Sequence, residues 1–172
     1  EEWSIILAGL VDEGIGRRFN LIGHSQGGMD ARYLASNLDP EHRIVSITTV
    51  STPHQGTSVA DALSGAINGL PFDGALIDAM FDMGSQLFGI EGENLSGQLE
   101  GMSIENMEAF NQETPDRADV QYFSWAGRSC RYFQFSCQNE QDGETVSSFF
   151  LLAHAYIEAE EGDNDGLVSV ES

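Results

Sequence analysis

The sequence contains no lysine. Its 7 basic residues are all arginine, against 28 aspartates and glutamates, and the net charge is −21. A chain this acidic argues against nucleic acid and anionic membrane surfaces as partners, because both are bound by clustered positive charge. Most of its carboxylates read as solvated surface, suited to salty surroundings or to cation binding. No run of about 18 apolar residues occurs, so no segment reads as a membrane-spanning helix. No secretory leader is visible. The chain opens Glu1-Glu2-Trp3 without methionine, in what reads as the middle of a helix, which suggests a fragment or a processed product. Cysteine is nearly absent. Cys130 and Cys137 could close a small disulfide loop, worth roughly 2–3 kcal/mol by chain entropy, or stand as two thiols. Repeats and interdomain linkers are also missing, and 172 residues suffice for one domain with a core of its own.

What is present is organised around residues 19–30. A short apolar run, Phe19 to Ile22, meets Gly23-His24-Ser25-Gln26-Gly27, and a helical segment follows from Gln26 to Asn37. This fits G-x-S-x-G, the strand–turn–helix that lifts a serine hydroxyl out of the top of a sheet. Glycines two residues before and two after the serine are expected to permit close backbone approach. The helix beginning at Gln26 aims its free amide groups at the same spot, so the Gln26 N–H is a candidate oxyanion donor.

Around it, Trp3 to Val11 carries a helical apolar stripe that Gly14 and Gly16 stop. Met29, Tyr33 and Leu34 are expected to face the sheet from the next helix, which Asp39-Pro40 ends. Ile44 to Val50 is rich in β-branched residues and reads as a strand. Strand–helix–strand with a short crossover implies parallel strands and an α/β fold. Ser51 to Thr57 is then the loop at the carboxyl end of that strand, the edge where open parallel sheets bind ligands. A long insertion follows, roughly Asp61 to Gly97. Within it Leu76, Met80, Met83, Leu87 and Ile90 form a broad apolar helical face. It reads either as a core helix or as a mobile lid hinged on its glycines. Short helical spacing around Ile104, Met107 and Phe110, a strand from Val120 to Trp125 and an apolar helix from Val146 to Ile157 complete the pattern.

A serine nucleophile needs a base and an orienting carboxylate, and on this elbow the order is Ser, Asp or Glu, then His. Asp165, in Asn164-Asp165-Gly166-Leu167-Val168, is the best acid, with Asp163 its near competitor. The base is the difficulty, since no histidine follows Asp165. Of the 4 histidines, His24 lies inside the turn, His42 at the amino end of a strand and His154 within an apolar helix. His54 is on the correct edge and is the local candidate. The simpler reading places the base beyond Ser172.

Together these stretches resemble a bacterial true lipase of family I, the Pseudomonas–Burkholderia type. Asn20 to Gly28 is similar to its nucleophile segment and Arg32-Tyr33 to its following helix. Thr52-Pro53-His54-Gln55-Gly56-Thr57 resembles its P-H-x-G-[ST] loop. Phe110-Asn111, Pro115 and Tyr122-Phe123-Ser124-Trp125 resemble stretches between lid and acid, and Asn164 to Val168 its catalytic-aspartate turn. The resemblance implies an α/β-hydrolase fold, incomplete at both ends, as one partial domain over 1–172 with a lid near 64–92. It implies a secreted enzyme hydrolysing triacylglycerol esters at an oil–water interface, with Ser25 as nucleophile, Asp165 as acid and Gln26 in the oxyanion hole. The second oxyanion donor, the catalytic histidine and one calcium aspartate would lie outside these residues. It further implies a structural Ca2+ with Asp142 as a ligand, and a dedicated folding chaperone. The family's usual cysteine pairing is not reproduced by Cys130 and Cys137.

Apart from a noncatalytic relative, which the serine turn argues against, two rivals stand beside it. One keeps the fold but acts as a shorter-chain esterase, phospholipase or thioesterase. The other is a noncatalytic calcium-binding module, in which Glu161, Asp163, Asp165 and Gly166 take positions of an EF-hand-like loop.

Overall fold

A computed structural model describes residues 2–63, 100–129 and 150–172. Helix α1 (Glu2–Asp12) leads into strand β1 (Phe19–His24), helix α2 (Gln26–Asn37) and strand β2 (Ile44–Val50). Then come a short helix α3 (Ser58–Leu63), helix α4 (Ile104–Glu113), strand β3 (Gln121–Trp125) and helix α5 (Leu151–Glu160). The proposed lid at 64–92, Cys130, Cys137 and Asp142 all lie outside the described residues.

The three strands form one parallel sheet in the order β1-β2-β3. Residues 44–50 carry the β-branched side chains that suit a pleated, covered surface. As the middle strand they bury most deeply, with Ile44 and Ile47 at 0% exposure. Each such side chain contributes about 1.5–3 kcal/mol of apolar burial. From α2, Ala31, Leu34 and Ala35 pack on these isoleucines, joined by Leu7 of α1 and Val120. A second, smaller core joins Val59 of α3 to Ala153 and Ile157 of α5.

The helical stripes are only partly right. Met29 and Leu34 are buried, but Tyr33 is 43% exposed and stacks obliquely beside Phe110 of α4, with ring centroids 6.5 Å apart. The small residues Ala31 and Ala35 take the place expected for Tyr33, because α2 lies close to the sheet. On α1 only Leu7 is buried, while Trp3 and Ile6 stay exposed. Strand β1 runs two residues further than its apolar run, to His24, because Gly23 and His24 still pair with Thr49 and Val50.

At the amino end of the sheet, Asp39 closes the turn from α2 to β2. Its carboxylate accepts the backbone N–H groups of Arg43 and Ile44, each at 2.9 Å, and an Nη1–H of Arg117 at 3.1 Å. Arg117 also donates to Asp119, whose carboxylate meets His42 at 2.6 Å. These two partners hold the Asp119 carboxyl well below its ordinary range.

Candidate active site

Ser25 sits where β1 ends and α2 begins, at φ 53° and ψ −130°. Such backbone is sparsely populated for a residue with a Cβ and persists only where its surroundings over-determine it. Three bonds do so. The Ser25 N–H donates to Val50 O at 3.0 Å, and the Ser25 carbonyl accepts from Gly28 N–H at 3.0 Å and from the Thr52 hydroxyl at 2.9 Å. Gln26 is the first residue of α2, so its amide is among the helix's unshared N-terminal donors.

The glycine requirement is met in a different way from the spacing rule. A Cβ on Gly23 would fall 2.6 Å from Gly28 Cα and against the Gly27 carbonyl, so Gly23 is obligatory. A Cβ on Gly27 would meet nothing within 4 Å. Gly28 is the second close approach, since a Cβ there would lie 2.8 Å from Thr52 Cγ2 and 2.9 Å from Thr49 Cγ2. The expectation for Gly27 therefore passes to its neighbour, because the crowding comes from the loop after β2 rather than from the turn.

Asp165 occupies a tight turn in which Oδ1 accepts the N–H groups of Leu167 and Val168 at 3.0 and 2.9 Å. Asp165 lies beside Gly127, just past the end of β3, and lines one small pocket with it and with Ser51, just past the end of β2. A Cβ at Gly127 would press to 3.0 Å on Asp165 Cβ, so any larger residue there crowds the aspartate. Asn164, fully buried, holds the turn from below through its side-chain donation to His154 O at 3.2 Å and its carbonyl's acceptance of Ser129 N–H at 2.9 Å.

The Thr52–Thr57 loop joins the two turns. Thr52 bonds the Ser25 carbonyl at one end, and the Thr57 hydroxyl donates to Leu167 O at 2.8 Å at the other. Between them Gly56 takes φ +85° and packs 2.7 Å, from where its Cβ would be, against Ile104 Cα of α4.

The histidines are otherwise engaged. Arg32 donates to His54 Nδ1 at 3.3 Å, which puts the ring proton on Nε2, where it is donated to Thr49 Oγ1 at 2.9 Å. The Thr49 hydroxyl in turn faces Phe123 O at 3.4 Å. Burial first, and then the Arg32 charge, push the His54 pKa below its ordinary 6.5. Both ring nitrogens are committed, which leaves His54 no lone pair for the Ser25 hydroxyl. His154 is buried in α5, with Nε2 on Ser129 O at 3.0 Å. His42 belongs to the amino-end cluster, and His24 is exposed at the end of β1. The EF-hand-like carboxylates part company as well. Glu161 accepts Ser58 N–H at 2.8 Å, Asp163 pairs with Arg128 at 3.3 Å, and Asp165 is folded into its own turn.

Thr52, Gly28 and Asn164 stand inside the motifs read from the sequence but carried no role of their own there, and Gly127 was not singled out. The signals available for a role were a third glycine after the serine and the polar residues that open the other two motifs.

The parallel sheet with flanking helices is shared with solved structures. The Bacillus licheniformis lipase BlEst2 in mature form superposes with a TM-score of 0.64 over 96% of this chain and 57% of its own, at 22% identity. EstA from Clostridium botulinum gives a TM-score of 0.56 at 20% identity. The fold is that of an α/β-hydrolase. Within that class a family model described as palmitoyl protein thioesterase matches residues 8–123, and the chain belongs to that family. Among curated relatives, a triacylglycerol lipase from Pseudomonas fragi is 35% identical over 130 residues, covering 64% of this chain and 44% of its own. Triacylglycerol lipase 2 of Saccharomyces cerevisiae is 33% identical over 110 residues, covering 62% of this chain and 28% of its own. The chain thus spans less than half the length of these relatives. The matches establish the superfamily and a lipase kinship, a coarser assignment than the Pseudomonas–Burkholderia type.

Proposed function

We propose that this chain carries the nucleophile and acid of a serine ester hydrolase, a triacylglycerol lipase of the Pseudomonas–Burkholderia kind. One observation carries the reading. Ser25 is held in strained backbone at a strand-to-helix turn, beside a helix amino terminus, in a chain whose relatives are lipases.

In this reading Ser25 Oγ attacks the ester carbonyl and gives its proton to a histidine supplied from outside residues 1–172. Asp165 orients that imidazole. The Gln26 N–H and a second donor from elsewhere in the protein take the negative charge on the carbonyl oxygen, and the alcohol leaves with the proton. Water then releases the acyl group from Ser25 by the reverse path. The Met- and Phe-bearing segment at 64–92 acts as a lid over long acyl chains. Secretion and help from a folding chaperone belong to the same proposal. So does a structural calcium on Asp142. Among the described residues no three His, Cys, Asp or Glu side chains converge on a metal position. Chelation should lower the melting temperature of the full-length protein if that ion is present, and an unchanged melt removes it.

Ser25→Ala in the full-length protein should abolish turnover, by about six orders of magnitude, with folding intact. A fluorophosphonate probe should label wild type at Ser25 only. Substantial turnover in the variant would overturn the assignment.

The family match favours a second reading, a thioesterase acting on long-chain acyl thioesters through the same serine. Triolein and an S-palmitoyl peptide, compared by kcat/KM, separate the two. Preference for the thioester replaces the lipase reading.

A further inference from the structure

We propose that Thr52 is a positioning residue for the oxyanion donor: by holding the carbonyl of the Ser25–Gln26 peptide, its hydroxyl aims the Gln26 N–H outward. The inference rests on the reading of Ser25 as nucleophile.

The argument begins with the peptide unit. A trans amide is planar, with its C=O and N–H pointing in opposite directions. The Ser25 carbonyl and the Gln26 N–H belong to one such plane, so fixing the oxygen fixes the direction of the amide hydrogen. Of the two donors to that oxygen, Gly28 N–H is local, three residues along the same turn. The Thr52 hydroxyl, at 2.9 Å, comes from the loop after β2 and ties the plane to the sheet. Thr52 is 3% exposed, so water does not compete for the bond.

Space for the contact is made by Gly28, where a Cβ would overlap the Thr52 hydroxyl. Thr52 is in turn held by its own loop. Its carbonyl accepts His54 N–H at 2.9 Å, and the His54 ring is clamped between Arg32 and Thr49. A bond to the carbonyl also polarises the amide, which makes its N–H a stronger donor to developing charge. Thr52 touches no reacting atom. Its effect falls on the transition state, where the oxyanion exists, and not on substrate binding.

The test uses the full-length enzyme, with rates expressed per active site titrated by fluorophosphonate. Thr52→Val keeps the shape and removes the hydroxyl, while Thr52→Ser keeps the hydroxyl. Losing an oxyanion donor outright costs about 10²–10³-fold in kcat, so losing its support should cost about 10-fold or more. Thr52→Val should show that loss with KM within about twofold. A boronic acid that mimics the tetrahedral intermediate should bind the variant more weakly by the same factor. Thr52→Ser should stay within about threefold of wild type. A merely structural role would lower the number of titratable sites and leave kcat per site alone. If Thr52→Val yields no titratable sites, Thr52→Ala is measured in its place.

An unchanged kcat per site, or an equal loss in Thr52→Ser, overturns the proposal. The two readings fail separately. An active Ser25→Ala removes the serine mechanism, whereas an inactive Ser25→Ala with a fully active Thr52→Val removes only the role of Thr52.

Discussion

The two ends of β2 are held by different chemistry. At the amino end, Asp39, Arg117, Asp119 and His42 form a charged cluster around the turn that starts the strand. At the carboxyl end, the bonds that hold Ser25 and Asp165 come from backbone amides and a threonine hydroxyl. Positive-φ backbone occurs at both ends: His42 at 55° in the amino-end cluster, and Ser25 and Ser51 at 53° and 46° at the ends of adjacent strands. Ion pairs secure the turn at the amino end, whereas the bonds made directly to Ser25 and Asp165 come from neutral donors. Under the proposed mechanism that leaves the developing charge at Ser25 to be met by backbone dipoles.

The comparison breaks most visibly at Asp165. Asp165→Asn keeps an oxygen for the Leu167 and Val168 amides but loses the charge, so the turn should survive. Under the proposed mechanism kcat should fall by about 10⁴-fold with little change in melting temperature. Activity within tenfold of wild type would take the acid's role from Asp165 and pass attention to Asp163.

At the other end the signs reverse. Arg117→Met strips the buried Asp39 carboxylate, 3% exposed in its side chain, of its cationic partner. Denaturant unfolding should show a loss of about 2 kcal/mol, the worth of a charge-assisted hydrogen bond, with kcat unchanged. A variant that lost turnover while keeping its stability would show that the two ends are not separable.

The smallest effect is a slope. His54 is neutral in the fold, with its pKa below 6.5, so between the two values the unfolded chain binds more protons than the folded one. The stabilisation from His54 is therefore complete above pH 6.5 and is lost as pH falls through the folded value. Thermal melts from pH 7.5 to 5 should decline less steeply in His54→Gln than in wild type. Parallel curves would mean that burial and the Arg32 charge do not lower the ring's proton affinity.

Local pattern carried most of what could be read in the sequence. The β-branched run placed β2 at Ile44–Val50, and the glycine-serine turn placed the junction of β1 with α2, because both depend on neighbours in the chain. Tyr33 was misread because three residues at helical spacing define a face but not how close that face comes to the sheet. Here the gap admits alanine. The short helix α3 also went unread, since it straddles the point near Asp61 where the insertion was taken to begin. The positions of Ser25 and Asp165 were legible as motifs. The bonds that hold them were not, since Thr52 reaches back 27 residues to Ser25, and Thr57 reaches forward 110 residues to Leu167. Contacts at such separations leave no periodicity.

The Thr52–Thr57 loop has a consequence for how the site comes apart. It is bonded to the serine's turn at one end, to the aspartate's turn at the other, and to Asn111, Met102 and Ser172 along its length. Opening it removes a bond from each turn at once. The turns of Ser25 and Asp165 are therefore expected to open together, with the amides of Gly28, Thr57 and Leu167 sharing one opening free energy in hydrogen exchange. Mild heat or denaturant should then dismantle the two turns in one step, and different opening free energies at Gly28 and Leu167 would show that they come apart separately.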